Sequence, residues 1–348
     1  LLAMPNCHTA FHEGTTYKPI PDMPKLNKVL ELKLMEYNES NPMMDLVLFD
    51  QAMLHIARIV RIVSNPAGNA MLIGVGGSGK QSLTKLASFI AGYETKQLAV
   101  TGTFSVLDLK EAIKPMYMAA TVKQTPTLWL MTDSQIVNDK FLIYINALLS
   151  SGWISDLFAK DEIDALLGGM NGEAKSANIP DNPEARMEFT IKRFRTNFKL
   201  VLAFSPVGDV FRIRARRFPG LINCTAINFF HGWPKDALIS VANFFLNDVE
   251  MEPEELKDKL AQHMALEHLS VQEASLKYKE TQRRFNYVTP KSFLELIGFY
   301  KFVLLQKRTD VQRQIDRLDV GLSTLRKTAA DVAELQVDLK HTMVKVEE

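Results

Sequence analysis

Gly74-Val75-Gly76-Gly77-Ser78-Gly79-Lys80-Gln81-Ser82 is the stretch whose reading decides the fold. The spacing G-x-x-x-x-G-K falls directly after an apolar run, Ala70 to Ile73, and before a helical pattern, Lys80 to Ala91. That is the context a phosphate-binding loop requires. Glycines let successive backbone N–H groups converge on phosphate oxygens, the helix N-terminus adds its dipole, and Lys80 neutralises the β and γ phosphates. The run also spells G-x-G-x-x-G at Gly74, Gly76 and Gly79, so a dinucleotide fold is the rival. That fold needs an acidic residue ending the second strand to hold the ribose. Gln97 to Val100, read as that strand, ends in Thr101-Gly102, and Lys80 has no task in such a loop.

One position departs from the pattern. The residue after the lysine should be Ser or Thr, whose hydroxyl ligates magnesium, but here it is Gln81. Ser82 follows, and one step along a helix turns a side chain by about 100°, so it does not simply substitute. A second element is expected as an apolar strand ending in Asp, and Leu128-Trp129-Leu130-Met131-Thr132-Asp133 supplies it. Asp133 would hold magnesium through water. Hydrolytic sites of this type place a Glu next to orient the attacking water. The residue there is Ser134, which cannot act as a carboxylate base; losing such a group lowers a rate about 10² to 10⁴-fold. Ser205 opens Ser205-Pro206-Val207-Gly208, where a polar side chain would sense the γ-phosphate. Arg212, Arg214, Arg216 and Arg217 follow on one short helix, as candidate fingers for a neighbouring phosphate or as a solvated basic face.

Outward from the loop, short apolar runs alternate with helical patterns. Strands are expected at Ala70–Ile73, Gln97–Val100, Thr127–Thr132, Lys199–Phe204 and Cys224–Phe229. Helices are expected near Lys25–Tyr37, Val47–Val63, Lys80–Ala91, Val106–Tyr117, Asp139–Leu149, Pro183–Thr196 and Val210–Arg217. Five strands with helical crossovers predict a parallel sheet covered on both faces. After Trp233-Pro234 the strands stop, and Lys235 to Leu305 reads as helical with interruptions near Asn286-Tyr287 and Thr289-Pro290. Trp129, Trp153 and Trp233 are read as core.

From Asp310 the period changes. Ile315, Leu318, Leu322, Leu325, Ala329, Val332, Gln336, Leu339, Met343 and Val346 keep a strict 3-4 alternation, with one polar member. This is a coiled-coil pattern, and a helix over Asp310–Glu348 would project roughly 58 Å. Six basic and eight acidic residues there exclude a nucleic-acid arm, so a returning segment or another molecule is expected as its partner. The expected division is a connecting segment over 1–42, an α/β part over 43–232, a small helical part over 233–305 and the arm over 306–348. The arm ends without a stop signal, so a longer parent chain is expected.

The bulk composition is ordinary. Lys and Arg total 41 against 40 Asp and Glu, giving no charge reason to expect a nucleic-acid or membrane partner. Two cysteines, Cys7 and Cys224, make no disulfide framework and fit a reducing compartment. Cys7-His8 with His12 lacks a fourth ligand for structural zinc.

Several motifs together resemble one family. Asn69 through Leu83, Thr132-Asp133-Ser134-Gln135-Ile136, Phe204-Ser205-Pro206-Val207-Gly208-Asp209 and Tyr287-Val288-Thr289-Pro290 closely resemble the fourth AAA+ module of axonemal dynein heavy chains, over nearly the whole chain. The arm then looks like the outgoing strand of the stalk, and Gln81 is typical of that module. The resemblance implies an AAA+ P-loop NTPase large subdomain with a five-stranded parallel sheet, followed by the small helical subdomain and the coiled-coil helix. It also implies a place in a microtubule motor of the axoneme, in cytoplasm and cytoskeleton, whose six modules form a ring and whose fourth module binds nucleotide in a regulatory or structural capacity. Val47, Leu48 and Phe49 would border the adenine, and Gly74, Val75, Gly76, Gly77, Ser78, Gly79, Lys80, Gln81, Ser82 and Asp133 the rest of ATP or ADP. Any magnesium would fall to Asp133 and Gln81. Neighbouring modules, the returning stalk strand and, beyond this chain, the microtubule are the implied partners. The finger position of related modules falls near Asn223-Cys224, where no arginine stands. The leading expectation is nucleotide binding with little or no hydrolysis; the rivals are an active ATPase in which Gln81 or water replaces the missing groups, and a structural spacer that binds nothing.

Overall fold

The computed structural model describes residues 8–11, 17–20 and 22–347. Cys7 and His12 of the weak metal pattern lie outside them; His8 forms β1 (His8–Thr9) against β2 (Lys18–Pro19). The helix α1 (Met23–Ser40) then leads through a connecting segment to α2 (Asp50–Ser64).

The α/β part contains β3 (Ala70–Gly74), α3 (Lys80–Ile90), β4 (Glu94–Lys96), α4 (Val106–Thr121), β5 (Thr127–Thr132), α5 (Lys140–Ser151), α6 (Lys160–Gly169), α7 (Asn171–Ser176), α8 (Pro183–Asn197), β6 (Phe198–Phe204), α9 (Val210–Arg217), α10 (Gly220–Asn223) and β7 (Ala226–Phe230). The five strands are parallel, in the order β4-β5-β6-β3-β7. β3, β5 and β6 are buried along their whole length, which is why they read as continuous apolar runs rather than alternating ones. Their side chains divide the core in two. Met71, Ile73, Trp129 and Leu202 face α4, α5 and α8, while Leu72, Leu130 and Val201 face α1, α2 and α3.

The second strand is displaced from its expected position. Glu94, Thr95 and Lys96 pair with Thr127, Leu128 and Trp129, and residues 97–100 are extended outside the ladder. An edge strand with charged ends carries no apolar signal, whereas Leu98 is apolar because it packs on the core and its carbonyl accepts Gln135 Nε2 at 2.6 Å. The helix expected from Val47 begins instead at Asp50, with Phe49 extended at its N-cap.

β6 carries a charge in its fully buried stretch. Lys199 has no exposed surface, and its ammonium donates to the carbonyls of Asn65 at 2.6 Å and Arg195 at 3.3 Å. These carbonyls end α2 and lie in the last turn of α8, where a cation complements the helix dipoles. Burial still lowers its pKa to about 8, from 10.5. Between those values the unfolded chain binds the proton and the folded chain releases it, so stability rises with pH across this window. Thermal unfolding of Lys199→Met is expected to lose that rise between pH 8 and 10; an identical slope in both chains would contradict it.

The helical part comprises α11 (Lys235–Leu246), α12 (Glu255–Gln282) and the start of α13 (Pro290–Glu347). Pro290 stands at the first helical position, where its missing N–H is harmless, and the Thr289 hydroxyl accepts the Ser292 N–H at 3.3 Å. Leu238, Val241, Met264, Phe293 and Ile297 form its core. α13 passes 305/306 without a break, so the change there is in surroundings. Lys301 is held by Asp248 at 2.7 Å and by the Phe245 carbonyl at 3.0 Å. Beyond Asp310, Ile315, Leu318, Leu322, Leu325, Val332 and Leu339 are all exposed. No described helix is long and apolar enough to cross a membrane.

Candidate functional site: a phosphate loop under a helical lid

β3 delivers the chain into the loop at Gly74, and α3 takes it up at Lys80. Gly77 and Gly79 have φ of +76° and +85°, a conformation that favours glycine. Gly77 has a second reason to lack a side chain: a Cβ there would lie 2.5 Å from the backbone nitrogen of Lys291, at the first turn of α13. The loop is thus in direct contact with the helix that becomes the arm.

Lys80 Nζ donates to the carbonyls of Gly74 at 2.7 Å and Val75 at 2.8 Å and to Ser78 Oγ at 3.2 Å. Ser78 is buried and donates in turn to the Val75 carbonyl at 2.9 Å. Burial lowers the lysine pKa and the nearby Asp133 carboxylate opposes the shift. Phosphate oxygens would offer its charge stronger acceptors than the carbonyls it now holds.

Asp133 follows β5 in a short 3-10 turn, Asp133–Gln135. Its Oδ1 accepts the Ser134 N–H and its Oδ2 the Ser205 N–H, both at 3.0 Å, so the carboxylate ties the end of β5 to that of β6. Ser134 Oγ lies 2.9 Å from Thr132 Oγ1, and Ser205 Oγ accepts the Val207 N–H at 3.4 Å. Gln81 is turned sideways, its Oε1 accepting Gln97 Nε2 at 3.2 Å. No three metal-ligating side chains cluster among the described residues. The loop geometry fits a polyphosphate; of the two expected magnesium ligands, Asp133 accepts two backbone N–H groups and Gln81 is engaged by Gln97, so a cation here would be held mainly by the nucleotide's own oxygens and water.

These groups line a cleft of about 450 Å³ between the sheet and the helical part. Gly76 to Ser82, Thr132, Asp133, Ser134 and Ser205 form one wall; Val47, Phe49, Trp233, Val241, Phe245 and Leu294 lie among its apolar lining. Gly74 and Val75 lie below as acceptors for Lys80. Leu48, expected beside Val47 and Phe49, packs into the core instead. Trp129 is fully buried and Trp153 half-buried in the core; Trp233 packs against the helical core and also lines the cleft, edge-on to Phe49 with ring centroids 5.6 Å apart. Sequence reasoning missed the lid side chains and Asp45, and the only available signal was Trp233-Pro234 marking the entry to the helical part.

The four arginines separate. Arg214 Nε and Arg217 bond the two oxygens of Asp139 at 3.0 and 3.1 Å, fastening α9 to the start of α5. Arg212 stands 3.8 Å from Asp209, and it and Arg216 are exposed.

A family model described as the P-loop containing dynein motor region D4 matches residues 44–303. The dynein beta chain of the flagellar outer arm of Chlamydomonas reinhardtii is 50% identical over 97% of this chain. Dynein axonemal heavy chain 17 of Homo sapiens is 45% identical over 97%, and the ciliary dynein beta chain of Heliocidaris crassispina 44% identical over 99%. The chain spans about 8% of the length of each of these relatives.

Proposed function

Since the chain belongs to the P-loop containing dynein motor region D4 family, we propose that it holds ATP or ADP with weak or absent hydrolysis and supports a coiled-coil stalk in a ciliary or flagellar microtubule motor. The observation that carries the nucleotide half is the loop geometry: left-handed Gly77 and Gly79 ahead of α3, with Lys80 poised over them. Weak hydrolysis follows from Ser134. Its hydroxyl is engaged with Thr132 and lacks the charge to draw a proton from water, and both oxygens of Asp133, the carboxylate beside it, already accept backbone N–H groups. Arg214 and Arg217 are held by Asp139, which leaves Arg212 and Arg216 as the exposed candidates for a neighbouring site.

The supporting role rests on α13. One unbroken helix begins against Gly77 and ends as an exposed seam of Leu and Val that a second strand would cover. Other modules of the parent chain, the returning stalk strand and a microtubule contacted by the stalk tip are the partners proposed.

The test is single-turnover chemistry at this site. ATP bound by the wild-type chain is expected to be recovered intact after many minutes, while Ser134→Glu raises the cleavage rate by about 10² or more. Fast wild-type turnover, or a rate unchanged by Ser134→Glu, would overturn the weak-hydrolysis reading. Nucleotide that fails to bind at millimolar concentration would favour a spacer.

A further inference from the structure

The geometry points to Asp45 as the residue that selects the base of the nucleotide, an assignment that rests on the nucleotide-holding reading above. The two ends of the cleft differ in chemistry. Polar groups crowd the loop and strand ends, and the remaining wall is built of side chains such as Val47, Phe49, Trp233, Phe245 and Leu294. Among the described lining residues outside the loop and strand ends, Asp45 is the only one whose side chain accepts a hydrogen bond. A flat aromatic base fits a slot with apolar and aromatic walls, and a single acceptor at its border sorts bases by what they present there.

Asp45 is also held in place. It lies in the connecting segment ahead of α2, and Asn38 grips the residue before it by both backbone groups. Met44 N donates to Asn38 Oδ1 at 2.9 Å, and Asn38 Nδ2 donates to the Met44 carbonyl at 3.3 Å. Leu46 and Leu48 pack on the sheet's core and Val47 on the helical core; Leu46, Val47 and the exposed Asp45 all line the cleft.

A carboxylate is an acceptor with no proton to give near neutral pH. The 6-amino group of adenine can donate to it. The 6-oxo group of hypoxanthine or guanine presents a second acceptor in its place, and the donor of those bases is the N1–H at the next ring position.

The test uses displacement of a fluorescent adenine nucleotide from the whole chain by ADP, IDP and 2′-deoxy-ADP, in wild type, Asp45→Asn and Asn38→Ala. ADP and IDP differ at the 6-position in the sense required. Wild type is expected to prefer ADP by about threefold to tenfold, the worth of one hydrogen bond to an exposed carboxylate. Asp45→Asn offers a donor as well as an acceptor, and should bring the two affinities close to equal. Asn38→Ala keeps the charge but frees the segment, and should give an intermediate ratio.

Equal binding of ADP and IDP by wild type, or a ratio unmoved by Asp45→Asn, would overturn the assignment. A penalty for 2′-deoxy-ADP that vanishes in Asp45→Asn, with the base preference intact, would also overturn it by placing the carboxylate on the ribose. Absence of all binding by wild type would bring down the nucleotide reading itself.

Discussion

Lys80→Ala is expected to weaken adenine nucleotide binding by on the order of 100-fold, because one charge-assisted contact with phosphate is worth about 1.5–3 kcal/mol and each 1.4 kcal/mol is tenfold. The lysine makes more than one such contact possible, since its ammonium has three donors. It also organises the loop, bridging the Gly74 and Val75 carbonyls and Ser78 Oγ. Removing it leaves those acceptors to water and loosens the ring of backbone N–H groups. Equilibrium titration with a labelled nucleotide measures the effect. A loss under about threefold would mean that Lys80 does not meet the phosphate. The variant should keep its fold, as Lys80 lies outside the three apolar cores.

Phe293→Ala is the second large effect, and it reaches the arm as well as the cleft. Phe293 is fully buried in the helical core, edge-on to His268 with centroids 5.2 Å apart. Truncating such a side chain costs about 3–5 kcal/mol through lost transfer energy and the cavity left behind. The core it belongs to is small and separate from the two cores flanking the sheet, so the cost should appear as local opening rather than global unfolding. Amide exchange is expected to accelerate across α11, α12 and the first turns of α13 and to stay unchanged in β3, β5 and β6. Nucleotide affinity should fall in parallel, because Leu294, Val241 and Phe245 line the cleft from this same core. Uniform acceleration over the whole chain, or none, would contradict this division.

The link between these two predictions is the contact of Gly77 with the start of α13. The helix that carries the exposed seam begins against the residue that turns the phosphate loop. Farther along, Lys301 fastens the same helix to Asp248 and to the end of α11. The loop and the root of the arm thus share one continuous helix.

By itself, the sequence determined the loop, the sheet and the arm, and for one physical reason: each is encoded in neighbouring residues. Glycine spacing is a local backbone requirement, buried parallel strands are continuous apolar runs, and a coiled-coil seam is a repeat along one helix. Ser134 and Gln81 were legible in the same way, as departures at fixed offsets. The tertiary structure decided what depends on distant residues meeting. It moved the edge strand to Glu94–Lys96, sent Leu48 to the core and Trp233 to the cleft, and closed Arg214 and Arg217 onto Asp139. It buried Lys199 between two helix ends, set Asp45 at the border of the cleft and brought Lys291 onto Gly77. No local periodicity records such meetings, because packing energy across the fold, not propensity along the chain, selects them.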